Sequence, residues 1–294
     1  MELRHLRYFV TLADELHFSR AAEKLNIAPP TLTVQIQEIE RTLSAKLFAR
    51  TKRSVALTPA GHVFLAEARN VLTTFAKAQT AGQRAGRGEI GRVEVGYVGS
   101  AAYTGVLQEQ VRRFRQTRPD VDIHAEEWPM DQLPELISAG QIDVGFIRLP
   151  MAPPRGLQLH VLLWDHFCLA SSSSHPMAST SNPIDPSQLA GEAFVTPEQI
   201  AGTYEVARRG RFSPRVISAP GSLLEVLTQV SLGAGVAIVP SVLRNIVQMP
   251  NVVLSPLAGA PIRSEVAAIF RAGERSPVVR NLIEQLVATQ PTTI

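Results

Sequence analysis

Apolar residues recur every three or four positions from Leu3 to Ala78, and from Val93 onward they fall into short continuous or alternating runs. The first spacing belongs to amphipathic helices and the second to strands separated by helices. A chain that changes period in this way must build two kinds of unit, one helical and one α/β. Its 294 residues suffice for two or three domains, and the 45% hydrophobic fraction can fill their cores. No apolar run approaches the roughly twenty residues of a membrane span, so no membrane partner is expected. Charges threaded through "MELRHLRYFV" argue against a secretion signal and for a cytoplasmic location. The single Cys168 excludes an internal disulfide; in "FCLAS" it reads as a small buried hydrophobe before it reads as a redox sensor.

Residues 1–58 read as a helix-turn-helix followed by a wing. Leu3, Leu6, Phe9, Val10, Ala13 and Leu16 share one face, giving a helix over residues 4–15. In "FSRAAEKLNIAPPTLTVQIQEIERTL", Ser19 takes an N-cap position beside Arg20, a short helix follows, and Asn26–Ile27–Ala28 turn the chain. Pro29 and Pro30 suit the first turn of the next helix, where a missing N–H costs nothing. Leu32, Ile36 and Ile39 form that helix's buried stripe and leave Thr31, Thr33, Val34, Gln35 and Gln37 facing elsewhere. A slim face carrying hydroxyl and amide groups is what a helix needs to enter a major groove and bond base edges. From Arg41 to His62 the charged residues are Arg41, Lys46, Arg50, Lys52 and Arg53, with no acid among them. Such a block is an electrostatic footprint for phosphate, with Arg50, Lys52 and Arg53 in the hairpin of the wing.

Thr58 and Pro59 read as the N-cap and first residue of a long helix. Phe64, Ala68, Val71, Phe75 and Ala78 are spaced four, three, four and three, the seam of a coiled coil. This stripe must be buried against a second chain or against the chain's own body. Gly82, Gly86 and Gly88 read as a stop and a joint, which favours the second chain. Residues 59–88 are therefore expected to pair two chains and hold two heads over the half-sites of an interrupted inverted repeat in double-stranded DNA.

Residues 89–294 alternate strands and helices, implying parallel sheets with helices on their faces. "LHVLLWDHFCLAS" is long enough to cross from one lobe to another. Ligands in such folds sit at the carboxyl ends of strands near helix N-termini. "GYVGSAAYTG" is one such end, presenting Gly99, Ser100 and Ala101; Arg148, after "VGFI", offers a fork for a carboxylate. Thr203 and Tyr204 fall at the start of a helix, with Tyr204 as an aromatic wall. These groups point to a small organic anion, an aromatic or dicarboxylic acid, bound between two lobes.

The stretches "LRHLRYFV", "FSRAAEKLNIAPPTLTVQIQEIE", "KLFART", "LTPAG", "VEVGY", "GQIDVGFIR", "SSHPMA" and "LGAGVAIVP" together resemble the LysR-type transcriptional regulators along nearly the whole chain. The opening and "GFIRL" look most like the subgroup that responds to benzoate and muconate-type acids. The resemblance implies an α/β chain with a winged helix-turn-helix head, a linker helix and an effector domain like the two-lobed periplasmic binding proteins. Its lobes are expected at about 89–162 with 265–294, and at about 163–264. It also implies a dimer through the linker helix, often a tetramer, and contact with RNA polymerase as a further possibility. By position, Ser100, Trp128–Pro129 and Thr203–Tyr204 match the family's effector loops. Where the family usually has a serine–glutamine–proline run this chain has Ala28–Pro29–Pro30, and Val34 stands where the subgroup often has arginine. Base reading should shift toward Thr31, Thr33 and apolar contact with thymine methyls.

An enzyme, a periplasmic solute-binding protein and a chromosome-organising protein without a ligand are the rival readings. Seven histidines show no metal-ligand spacing, "GYVGS" lacks the glycine a nucleophile elbow needs, and Glu126 and Glu127 point to opposite faces of a strand. No cofactor is expected. The basic head opposes the solute-binding reading, and ligand titration separates the third.

Overall fold

The computed structural model describes residues 1–51 and 54–293; Lys52 and Arg53 of the expected wing lie outside the described residues. The chain divides into two compact units, Met1–Arg84 and Ala85–Ile294.

In the first unit, α1 (Leu3–Glu15), α2 (Phe18–Lys24) and α3 (Pro29–Thr42) precede a hairpin of β1 (Phe48–Arg50) and β2 (Val55–Leu57). Helix α4 (Pro59–Gly86) follows. The apolar stripes predicted for α1 and α3 meet in one core around Phe9, whose ring lies 5.3 Å from that of Phe48 and 4.8 Å from that of Phe64. Ala21 and Ala22 of α2 are fully buried, so a larger side chain at either would overpack this core. Pro29 and Pro30 occupy the first turn of α3 as expected. Ser19, however, lies inside α2; the cap is His17, whose Nδ1 accepts the Arg20 N–H at 3.4 Å. Helix α4 starts as read: Thr58 Oγ1 accepts the Gly61 N–H at 3.0 Å and donates to the Lys46 carbonyl at 2.6 Å. Gly82 does not stop it. An interior glycine costs about 1 kcal/mol without removing a hydrogen bond, too little to end a long helix. The chain turns instead at Gly88, whose φ of +67° suits glycine.

The second unit begins with β3 (Gly91–Tyr97), α5 (Gly99–Ala102), α6 (Val106–Thr117), β4 (Val121–Glu127), α7 (Leu133–Ser138) and β5 (Val144–Arg148). The 16-residue β6 (Leu157–Ser172) leads to β7 (Ala193–Val195), α8 (Ala201–Gly210), β8 (Arg215–Ser218), α9 (Leu223–Ser231), β9 (Ala237–Pro240), α10 (Leu243–Ile246) and β10 (Val252–Pro256). Strand β11 (Arg263–Arg271), α11 (Pro277–Val287) and β12 (Thr292–Thr293) close the chain. Strands β4, β3 and β5 are parallel, as expected, but β11 runs antiparallel to both β5 and β6. The sheet is therefore mixed, because the chain re-enters it on strands that return from the other lobe.

Strand β6 belongs to both lobes. Residues 157–166 pair with β11, and residues 167–172 pair with β9 and β10. Where the two connections pass, the Phe167 N–H donates to the Ile262 carbonyl at 2.9 Å. Beyond that point side chains alternate faces: Phe167 and Leu169 enter one core of the second lobe, Cys168 and Ala170 another. Cys168 is buried, and burial pushes its thiol up to about 12, away from the reactive thiolate.

Candidate functional site

Helix α3 turns Leu32, Ile36 and Ile39 inward and leaves Pro29, Pro30, Thr31, Val34 and Gln37 exposed. Val34 is 58% exposed, an apolar group on the outermost line of the helix. Thr33 and Gln35 lie on the flanks, half-buried, and the Thr33 hydroxyl donates to the Pro29 carbonyl at 3.1 Å. The outward face thus consists of Pro30, Thr31, Val34 and Gln37 more than of Thr33.

The basic block is free of acid in sequence but not in space. Arg41 pairs with Glu38 at 2.6 Å, and Arg20 with Glu15 at 3.4 Å. Glu40, only 4% exposed, accepts from Lys46 at 3.0 Å and from the N–H groups of Leu47 and Phe48 at 3.0 and 3.2 Å. Arg50 lies 3.7 Å from Glu40 and 4.8 Å from the centre of the Phe18 ring. Burial alone would push the Glu40 carboxyl up, but Lys46 and the two N–H groups outweigh it and hold it below the usual carboxylate range. Glu40 escaped the sequence reading because it sits one residue before the cationic window. The remaining exposed pairs are weak and can yield to phosphate.

On α4, Phe64 and Ala68 do not face outward. Both pack into the head's own core with Leu65 and Leu72. Phe75 is half-buried, while Val63, Val71 and Ala78 are exposed, so the head covers the start of the stripe and leaves most of its later part bare.

In the second unit a narrow, solvent-open cavity lies where the lobes meet, with enclosed room for little more than a water in this arrangement; Gly99, Ser100 and Arg148 line it with Glu127, Met130, Phe167, Glu198 and Leu223. Three of the expected ligand groups therefore converge, but two are already engaged. Arg148 is fully buried and donates to the Ser100 carbonyl at 3.0 Å, Asp165 at 3.2 Å and the Ser264 hydroxyl at 2.8 Å. Asp165 is held in turn by the Ser241 hydroxyl and the His166 N–H, each at 2.7 Å. The expected carboxylate fork is a structural ion pair. Desolvation lowers the Arg148 guanidinium to about 10 despite the opposing pull of Asp165. Gly99 is no open anion seat either, because a Cβ there would collide with the Glu127 carboxylate.

The other expected contacts lie elsewhere. Ala101 is buried, Trp128 is half-buried with its backbone N–H donating to the Tyr97 carbonyl at 3.0 Å, and Pro129 is exposed. Thr203 is fully buried. Tyr204 lines a second cavity with Pro150, Glu205, Arg208, Arg209 and Arg263. Glu127 could have been found from sequence, since it ends β4 at the carboxyl edge where ligands bind. Glu198 follows the three-residue β7, too short to announce itself.

Comparison with known proteins agrees with this geometry. Residues 3–62 match the family of bacterial regulatory helix-turn-helix proteins of the lysR family, and residues 86–291 match the LysR substrate binding domain. The HTH-type transcriptional regulator YnfL of Escherichia coli is 35% identical, with 96% of each chain covered. XapR, a second HTH-type transcriptional regulator of that bacterium, is 33% identical, with 97% of each covered. Full-length CbnR, solved with its target DNA, superposes with a TM-score of 0.81 at 26% identity over 97% of this chain and 98% of that one.

Proposed function

This chain belongs to the LysR family of bacterial transcriptional regulators, and from that membership we propose that it reads an interrupted inverted repeat in promoter DNA and changes that reading when a small molecule enters the interlobe cavity. The family consists of DNA-binding regulators and not of enzymes. The observation that carries the reading is the outward face of α3, where Pro30, Thr31, Val34 and Gln37 stand clear of the core. Gln37 can bond a base edge, and Val34 and Pro30 suit thymine methyls. The arginine expected for guanine or phosphate at that surface is absent, so sequence preference here differs from that of arginine-bearing relatives. Among the described cations of the head, those near the helix carry acidic partners that phosphate must displace. Lys52 and Arg53 complete the phosphate-contacting set.

The pairing surface lies on the exposed flank of α4, along Val63, Val71 and Ala78, with Phe64 and Ala68 holding that helix to the head. Two copies joined there present two reading helices to two half-sites. DNA readers of this kind work in the cytoplasm beside the chromosome, and contact with RNA polymerase is the route by which binding alters transcription.

Switching requires a ligand with different affinity for two arrangements of the protein. The cavity is lined from both lobes, so occupancy and lobe arrangement are coupled. An organic acid, the class read from the sequence, meets no unpaired cation among the described residues lining it. The test is a thermal-shift screen of small polar molecules, followed by operator titrations with each compound that stabilises the chain. A cavity ligand should alter operator affinity, and operator should alter ligand affinity by the same factor. Stabilising compounds that leave operator affinity unchanged contradict the switching role.

A further inference from the structure

We propose that the interlobe cavity is built for a small organic cation, a primary amine or guanidinium group on an apolar frame, held between Glu127 of one lobe and Glu198 of the other. The inference rests on the reading of this cavity as the effector site.

Both places where an anion could dock are filled by the chain's own groups. The Arg148 guanidinium is spent on the Ser100 carbonyl, Asp165 and Ser264, and Asp165 cancels its charge. The Glu127 carboxylate lies against Gly99, where only a glycine leaves room for it. What remains facing the cavity is acidic. Glu127 ends β4 in the lobe built on β3–β5, and Glu198 follows β7 in the other. The two share the cavity wall, and Glu198 reaches across to accept the Met130 N–H at 3.4 Å.

The lining carries two carboxylates with no cation left to answer them. Burial first, then repulsion from Asp131 and Glu127, pushes the Glu198 carboxyl up against the pull of the Met130 N–H. Glu127 and Glu198 are both exposed to solvent, and an anion entering here would add a third charge of the same sign beside them. A cation relieves the repulsion, and does so most when the lobes bring the carboxylates nearest, which gives it the differential affinity a switch requires. Met130, Phe167 and Leu223 supply apolar wall for the rest of the molecule. Among the described residues no group of three or more His, Cys, Asp or Glu side chains is placed to hold a metal ion, so the charge belongs on an organic frame.

The test is calorimetric titration of the full chain with benzylamine, agmatine and putrescine beside benzoate, adipate and succinate, in wild type and in Glu127→Gln and Glu198→Gln. Operator affinity without ligand is measured in parallel to show that each variant is folded. At least one amine should bind, and each substitution should weaken it on the order of tenfold or more. The carboxylates should not bind wild type. The double glutamine variant, freed of its repulsion, should melt above wild type without any ligand. Carboxylate binding that is strengthened by the glutamines overturns the cationic class while leaving the cavity as the effector site. Amine binding indifferent to both substitutions places the ligand elsewhere and overturns the cavity reading as well. Failure of all three amines to bind, with the double variant no more stable than wild type, overturns the proposal outright.

Discussion

Arg148 and Glu40 show how a side chain's partners, more than its type, decide what it does. Arg148 stands at a strand end as its sequence position suggests, yet its charge is committed to Asp165. Removing one member of a buried pair leaves the other uncompensated, so Arg148→Met should cost about 3–5 kcal/mol in urea unfolding, and Arg148→Met with Asp165→Leu should recover much of it. Equal losses in the single and double variants would contradict a pair. Glu40 is the acid that local sequence hid. Its folded carboxyl is held below the unfolded value, so its contribution is complete above the unfolded value of about 4.5 and drains away as pH falls through the folded one. Glu40→Gln should destabilise the head by about 1–3 kcal/mol at pH 7, with the deficit shrinking below about pH 4. A deficit that is constant with pH would show that shape and not charge is at stake. Positions at strand ends were legible in the sequence because period and punctuation mark them. The partners were not, since Asp165, Ser241 and Ser264 converge on Arg148 only through the crossing of β6 and β11.

At the level of elements, spacing marked the helices of the head, the long helix after it and the alternation of strand and helix in residues 89–294, because amphipathic period survives in the longer elements. It failed where one stripe serves two neighbours. The α4 stripe has helical period throughout, but Phe64 and Ala68 answer to the head while Val71 and Ala78 stay exposed. The two roles separate by substitution. Phe64→Asp should unfold the head, since it drives a charge between α4 and Phe9. Val71→Asp with Ala78→Asp should leave the head folded and yield smaller species in sedimentation; a full-size oligomer from that pair refutes the exposed flank as the pairing surface. On α3, Gln37→Ala should cost about 1–3 kcal/mol at one operator position and little on random DNA. Arg53→Ala should instead weaken both alike and flatten the salt slope by about one unit. A reversed pattern would assign phosphate contact to Gln37 and base reading to the wing. The short β7 and the helices α5 and α10 carried too few residues to show a period, which is why Glu198 went unread.

The whole molecule joins a helix-turn-helix head, a long helix and a LysR substrate binding domain, and in the proposed function a message can pass between them only as a difference in free energy between two arrangements. Sequence reading reached the family and the fold class because the head and the body each have their own period, and matches to both lysR-family regions agree with it. The ligand's chemistry lay beyond that reading, since it depends on which charges remain unpaired once the lobes are built. Everything downstream still depends on the head selecting a site. Nuclease footprinting of the full chain on DNA upstream of its own coding sequence, with excess random duplex as competitor, tests this most directly. The expected result is protection of one interrupted inverted repeat, with half-sites about one or more helical turns apart, surviving on the order of a thousandfold excess of competitor. Protection spread evenly along the fragment, or lost to the competitor at parity, would contradict a sequence-reading regulator.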